Sequence, residues 1–165
     1  MYNFIDSFDI ARDMYSSFVC IFEGSDNLSE RQFERALWRK LQHLHDVDSC
    51  SHNWDPSVSK DPLSDDFSFS LGGAAFFIIG LNPNSCRKSR QFDYPAVVFN
   101  LHSQFEELRR KGKFNSVKDH IRRRDKKFSG SQNPMLATHG DGSEIYQYSG
   151  RTVGKSWKCP FQAKS

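Results

Sequence analysis

The sequence lacks the patterns that identify most membrane, secreted and metal-cluster proteins. No run approaches the roughly 18 apolar residues of a membrane span. The start, MYNFIDSFDIARDMYSSFVC, has neither the basic region nor the unbroken apolar run of a secretory signal. Four cysteines are present but none forms a CxxC pair, which favours free thiols over bridges or a zinc cluster. These absences predict a cytoplasmic protein with no membrane partner.

Several catalytic signatures are also missing. The sequence contains no glycine-rich phosphate loop, no dinucleotide fingerprint, no HExxH and no GxSxG. The common nucleotide-binding and hydrolase explanations therefore have no local support. His43 and His45 lie two residues apart on a predicted helix and so point to different faces, which makes a metal site with the nearby Cys50 and His52 a poor prediction.

What the sequence does have is phenylalanine. Fifteen of its 165 residues are Phe, so a core of this size must be built largely from aromatic rings. The length predicts one domain covering residues 1–165. Composition alone is compatible with two interpretations: a flat apolar cofactor held among the rings, or a closely packed aromatic core with no ligand.

Positive charge is concentrated in one block. Arg109 to Lys127 holds ten Lys or Arg residues against Asp119 and Asp125, although the net charge of the chain is only +3. Such a block is compatible with nucleic-acid binding. No aromatic stacking motif accompanies it, so two solvated helix faces are the favoured interpretation and a nucleic-acid partner is disfavoured.

The hydrophobic pattern predicts an α+β fold. Ser29 and Gln32 form a capping box before a helix with apolar residues at helical spacing, and residues 47–66 read as a long surface loop. FSFSLGGAAFFIIGL predicts two strands hinged at Gly72-Gly73, and AVVFN predicts another. Asn100 is predicted to cap a helix that ends at Gly112, with a second basic helix from Ser116 to Phe128. The expected architecture is a small, mostly antiparallel sheet packed with several helices, followed by an ordered irregular tail.

Six phrases, in order along the chain, resemble the YqcI/YcgG family. The resemblance spans roughly residues 20–161, and the phrases are WDPSVSKDP, FSFSLGGAAFFIIGLNPNS, VVFNLHSQFEELRRKGKF, NPML, QYSGR and WKCPF. The resemblance implies binding of haem b. It further implies oxygen-dependent N-hydroxylation of an amino acid or guanidino group, as in the guanitoxin-type enzymes, on an arginine-, enduracididine- or lysine-like substrate. Molecular oxygen would be the co-substrate and an external protein or reductant the electron donor; a homodimer is allowed.

Three residues are candidates for the axial ligand of such a haem iron. Cys159 lies in KCPF, where Lys155 and Lys158 would favour a thiolate, the ligand that promotes O–O cleavage. His102 is the rival, because a helix-borne imidazole beside Phe105 is a common proximal ligand. If Cys159 binds the iron, His102 would lie on the distal side. Cys20 is the third candidate.

The remaining site residues are predicted from charge and from the family phrases. Guanidinium groups form bidentate contacts with carboxylates, so the propionates are assigned to Arg87, Arg90, Arg109 and Arg151, with Tyr148 of QYSGR as a further cofactor contact. A cationic substrate would need a carboxylate, for which Glu106, Asp141 and Glu144 are candidates.

Asn82 stands where many relatives have histidine. That difference predicts a lost polar contact in the pocket and leaves two functions open, a haem-dependent N-hydroxylase and a haem or gas-binding protein without turnover. The basic block from Arg109 to Lys127 leaves a third, a basic RNA-binding domain.

Overall fold

Four antiparallel strands form the central sheet of the chain, for which a computed structural model describes residues 1–23, 27–135 and 142–164. They are β1 (Phe18–Ile21), β2 (Phe69–Leu71), β3 (Ala74–Leu81) and β4 (Ala96–Leu101), in the spatial order β1-β4-β3-β2. All neighbouring strands run antiparallel. The expected single α+β domain with an antiparallel sheet is confirmed.

The hairpin between β2 and β3 turns at the predicted glycines. Gly72 and Gly73 have φ angles of 61° and 74°, a left-handed pair that only glycine adopts without strain and that suits a two-residue hairpin. The backbone N–H of Gly72 donates to both carboxylate oxygens of Asp48, at 2.9 and 3.0 Å. This contact ties the hairpin to the end of the longest helix.

Helices cover both faces of the sheet. They are α1 (Tyr2–Ser7), α2 (Glu30–Asp48), α3 (His102–Arg110), α4 (Phe114–Ser129) and α5 (Ile145–Tyr148), with a 3₁₀ turn at Lys88–Arg90. The predicted capping box is present, because Gln32 N–H donates to Ser29 Oγ and Ser29 N–H donates to Gln32 Oε1. None of the helices in the described ranges is long and apolar enough to cross a bilayer.

Asn100 does not cap α3, contrary to the sequence prediction. The residue lies in β4, where its side-chain amide donates to the carbonyl of Phe77 at 3.3 Å and its oxygen accepts from Ser17 Oγ at 2.7 Å. Leu101 occupies the cap position and provides no side-chain hydrogen bond. The extended β4 pairing continues to Leu101, so the strand passes directly into the helix and leaves no room for a polar cap.

One face of the sheet carries a core made of rings. Phe76 and Phe99 meet edge to face with centroids 5.9 Å apart, and Phe161 from the tail meets Phe69 at 5.7 Å. Burying each such side chain stabilises the fold by roughly 2 kcal/mol. The rings pack against one another and against α2, so on this face the phenylalanine content is used by the core itself. The buried set includes Leu37, Trp38, Leu41, Phe67, Phe69, Phe76, Ile78, Phe99, Tyr148 and Phe161.

The tail, residues 151–164, runs along α2 without forming a helix or strand in its described part. Arg151 forms a bidentate pair with Glu34 of α2, Nε to Oε2 at 2.6 Å and Nη2 to Oε1 at 3.0 Å. Trp157 Nε1 donates to the same carboxylate at 3.1 Å. Further along, the backbone N–H of Lys164 donates to His45 Nε2 at 2.8 Å. These contacts confirm an ordered, irregular tail over residues 151–164. The stretch that the sequence predicts to be irregular begins earlier, at Ser129, and the structure has helix α5 (Ile145–Tyr148) within it.

Replacing Glu34 with glutamine should destabilise the domain by about 3 kcal/mol, because it leaves the mostly buried Arg151 guanidinium without its counter-charge. Urea unfolding of Glu34→Gln measures this loss. Glu23→Gln, at an exposed position, is the matched control and should unfold at the wild-type midpoint. Equal midpoints for the two variants would contradict a stabilising role for the Glu34 pair.

His45 should make stability depend on pH. Burial lowers its pKa below the ordinary value of 6.5, with Asp46 and Asp48 acting in the opposite direction. The unfolded chain therefore binds a proton more readily, and stability present above pH 6.5 is lost as the pH falls, by up to about 1.4 kcal/mol per pH unit. His45→Gln should remove this part of the dependence, whereas the exposed His43→Gln should retain it. Unfolding free energies measured between pH 7 and pH 5 (a range set by the ordinary histidine pKa, ~6.5) provide the check.

Candidate functional site

A cavity of about 150 Å³ lies between α3 and α4, beside β3 and α5. Its wall is mainly apolar, with polar and charged side chains at a few positions. The lining residues are Phe77, His102, Phe105, Leu108, Arg109, Phe114, Val117, Lys118, Ile121, Arg122, Glu144 and Gln147. An apolar cavity with a small number of polar groups is the usual form of a small-molecule site.

The first wall of the cavity follows directly from the sequence of α3. Phe105, Leu108 and Arg109 recur at three- and four-residue spacing, which places them on one face of a helix. Phe105 meets Phe77 of β3 edge to face, with centroids 6.0 Å apart. This ring contact fixes α3 against the sheet and orients the side chains that face the cavity.

The opposite wall, α4, is held more loosely. None of its residues is buried, and Ile121, which lines the cavity, is 58% exposed. At its N-terminal end the Arg109 guanidinium lies over the Phe114 ring, 4.3 Å from the centroid. The apolar stripe of α4 therefore faces a space that the protein's own side chains fill only in part.

His102 is the first residue of α3 and stands in the wall between two spaces. Its side chain is 8% exposed, and Nε2 lies 3.9 Å from Glu106 Oε1, one helical turn on. The same imidazole borders an open groove on the other side, together with Asp55, Ser57 and Glu106. An imidazole in this position has access to the apolar cavity and, through the groove, to solvent.

Charged side chains of both signs are among the residues that line the cavity. Arg109, Lys118 and Arg122 contribute cations from α3 and α4, and Arg109 also forms an ion pair with Glu106. Glu144 provides a buried carboxylate, which accepts a hydrogen bond from Ser68 Oγ at 3.0 Å. The cavity thus offers an apolar middle with groups of both signs around it.

Of the residues predicted from sequence, His102 and Arg109 line this cavity, and Glu106 adjoins it through both of them. Sequence reasoning missed Lys118, Arg122 and Gln147. The first two have a four-residue spacing that places them on the flank of the apolar stripe of α4, and this signal was hidden within the continuous basic block. Glu144, a predicted substrate carboxylate, lies in the cavity wall.

All four arginines assigned to propionates have partners within the fold, and three of them lie outside the cavity wall. Arg87 pairs with Asp125, and Arg151 pairs with Glu34. Arg90 is buried, which lowers its pKa to about 10, and it donates to the carbonyls of Gly80 and Gln147 at 3.3 and 3.1 Å. These three side chains join elements of the domain and do not line the cavity.

Tyr148 lies in the core at one end of β2. Its ring stacks on Trp38 with centroids 5.6 Å apart, and its hydroxyl accepts from the backbone N–H of Phe69 at 3.2 Å. Burial raises its pKa well above the ordinary value. The side chain therefore stays protonated and positions α5 against the sheet.

The two candidate cysteine ligands lie outside the cavity wall. Burial raises the pKa of Cys159 to about 11, and Glu34 adds to the rise while a hydrogen bond from the Phe161 backbone opposes it. Burial also raises the pKa of Cys20. Both residues are free thiols in this state of the chain, as are Cys50 and Cys86.

Asn82 is buried at the end of β3 and does not line the cavity. Its backbone N–H donates to the carbonyl of Arg90 at 3.0 Å, and its side-chain amide donates to the carbonyl of Leu28 at 3.1 Å. Any influence of Asn82 on the cavity would pass through Arg90 to the carbonyl of Gln147. Asp141, also considered as a substrate carboxylate, lies outside the described residues.

Comparison with known proteins gives one match. The model of the YqcI/YcgG family matches residues 1–162. No curated protein and no solved structure matches the chain.

Proposed function

The chain belongs to the YqcI/YcgG family, and from this premise we propose that it binds haem b in the α3–α4 cavity and N-hydroxylates an amino acid or guanidino compound. The observation that carries the proposal is the position of His102. It places an imidazole in the wall of an apolar cavity that also holds Arg109, Lys118 and Arg122. A haem site needs these three kinds of group: an axial ligand, apolar surface for the ring, and cations for two carboxylates.

The side chains that line the cavity are of the kinds that a haem site needs. The volume of the cavity, however, is too small unless α4 moves. Sites for ligands of drug size and above occupy roughly 300 to 1,000 Å³, whereas the cavity measures about 150 Å³. Binding therefore requires α4 to move away from α3. Because no residue of α4 is fully buried, this movement removes little apolar surface from contact, and its main cost is the loss of polar contacts such as the Arg87–Asp125 ion pair.

Among the three candidate ligands we assign the axial position to His102. The imidazole lines the cavity, while neither cysteine does. Cys159 would also have to lose a proton whose pKa is raised to about 11, and Glu34 opposes a second negative charge beside it. An imidazole binds a metal in its neutral form, so a histidine ligand does not require a buried negative charge.

When bound, haem supplies the activation of oxygen; the rest of the proposed chemistry belongs to residues of the chain. Phe77, Phe105 and Leu108 exclude water from the cavity. Glu144 provides a buried carboxylate to bind the cationic group of the substrate. In the overall reaction one oxygen atom would enter the N–H bond and the other would leave as water, which takes two electrons from an external donor and two protons from solvent.

A haem or gas-binding role without turnover is the second candidate, and Asn82 is the residue that favours it. Many relatives have histidine at this position, and Asn82 contacts the backbone of Arg90, which in turn binds the Gln147 carbonyl. Turnover assays distinguish the two functions. Ferrous protein supplied with arginine, oxygen and a reductant yields an N-hydroxylated product, detected by mass, only if the chain is an oxygenase.

Hemin titration tests the haem site directly. We expect a Soret band at a one-to-one ratio in wild type, loss or a large shift of that band in His102→Ala, and no change in Cys159→Ala. His120→Ala, an exposed histidine on α4, is the matched control and should titrate as wild type does.

Two results would overturn the assignment. Absence of a Soret band in wild type would refute haem binding, and salt-dependent retention of that protein on RNA would then support the exposed basic face of α4 as a nucleic-acid surface. A Soret band lost in Cys159→Ala but kept in His102→Ala would move the axial ligand to the thiol.

A further inference from the structure

Helix α4 is bounded by two glycines with left-handed backbone. Gly112 and Gly130 have φ angles of 66° and 80°, and no heavy atom of the described residues would lie within 4 Å of a side chain at either position. No side-chain packing at either glycine therefore opposes a change in the direction of the helix, although each N–H donates to a carbonyl of the preceding turn, Arg109 and Lys126.

Hydrophobic burial does not hold α4 in place. The helix buries no residue, and Ile121 and Phe128 on its apolar stripe are 58% and 63% exposed. At the N-terminal end Lys113 N–H donates to the carbonyl of Leu108, and Phe114 lies under Arg109. This end stays attached to α3 through the chain itself.

The far end of α4 is held by a polar latch, formed by Arg87 and Asp125. Arg87 Nε donates to Asp125 Oδ1 at 3.2 Å, and Nη2 donates to Oδ2. The two side chains are only 11% and 15% exposed, so the pair is largely shielded from water. The same Nη2 donates to the carbonyl of Ser131, and Ser89 N–H donates to Ser129 Oγ at 3.2 Å.

The latch connects α4 to a rigid part of the domain. Arg87 and Ser89 belong to the turn that follows β3, and the next residue, Arg90, is buried and anchored to Gly80 and Gln147. Burial alone would raise the pKa of Asp125, but the hydrogen bonds from Arg87 and Ser89 outweigh it and the pKa is lowered. The carboxylate is therefore ionised at neutral pH, and the latch is intact there.

We infer that α4 is a lid over the α3–α4 cavity, hinged at Gly112 and held shut by the Arg87–Asp125 ion pair. The inference rests on the cavity proposed above as the binding site, because a lid has a purpose only if something enters. Opening itself is a property of the ligand-free protein. It can be measured whether or not haem is the ligand.

Hydrogen exchange followed by mass spectrometry tests the lid in ligand-free protein. Asp125→Asn should raise the exchange rate of peptides within residues 114–129 by about tenfold or more, because a shielded ion pair is lost. Peptides from α2 and β3 should exchange as in wild type. Asp119→Asn, an exposed carboxylate on the same helix, is the matched control and should leave α4 unchanged.

Arg87→Gln provides an independent test. It should raise α4 exchange as Asp125→Asn does, and the double variant should show no further increase, since each change breaks the same contact. Unchanged α4 exchange in both single variants would refute the latch. Faster exchange throughout the domain would refute it too, because it would make the pair a general stabilising contact.

The rate of hemin binding distinguishes the two proposals, the lid and the haem site, from each other. If wild type binds hemin, the Soret band should develop several-fold faster in Asp125→Asn than in Asp119→Asn. Equal rates would contradict control of access by the latch. If wild type binds no hemin, the proposed function fails, while the lid is judged on exchange alone.

Discussion

The arrangement of the domain depends on the hydrogen bonds that the buried carboxylate of Glu34 accepts from the tail. Glu34 lies in the second turn of α2 and accepts hydrogen bonds from Arg151 and Trp157 of the tail, residues more than a hundred positions away. By fixing the tail against α2, it places Phe161 among the rings of Phe67 and Phe69. The core on this face of the sheet is therefore closed by a segment that has no secondary structure of its own.

The same arrangement divides the domain into a closed side and an open side. Between α2 and the sheet the buried rings contact one another, whereas an open groove of about 350 Å³ follows the side of α2 that carries Phe33, Lys40 and His43. Across β3 the covering helices are α3, fixed by the contact between Phe77 and Phe105, and α4, fixed by polar contacts at its ends. Chemistry is thus expected where packing is weakest, because a rigid wall and a movable wall together allow a ligand to enter and be enclosed.

The parts of this structure that were predictable from the sequence are those set by local patterns. Ser29 and Gln32 predict the start of α2, and Gly72-Gly73 predict the hairpin turn, because caps and turns depend on residues that are neighbours in the chain. The prediction that Asn100 caps α3 was wrong for the same reason. It considered only neighbours in the chain, whereas pairing of β4 with β3 places Asn100 in the strand. Cys159 shows why the properties of a site residue cannot be predicted from its neighbours in sequence. Lys155 and Lys158 are near it in sequence, but burial and the distant Glu34 decide its pKa.

Long-range pairing also explains why the cavity could not be derived from the arginines. Arg87, Arg90 and Arg151 each have a partner or carbonyl far away in the chain and lie outside the cavity wall, whereas three other cations line it. Of those, Lys118 and Arg122 lie on α4, whereas Arg109 lies on α3. An anion bound between them would attract both walls at once. Once α4 has moved away and the ligand has entered, these charges would draw the helix back towards α3 as far as the ligand allows, so ligand binding and the position of α4 would be coupled.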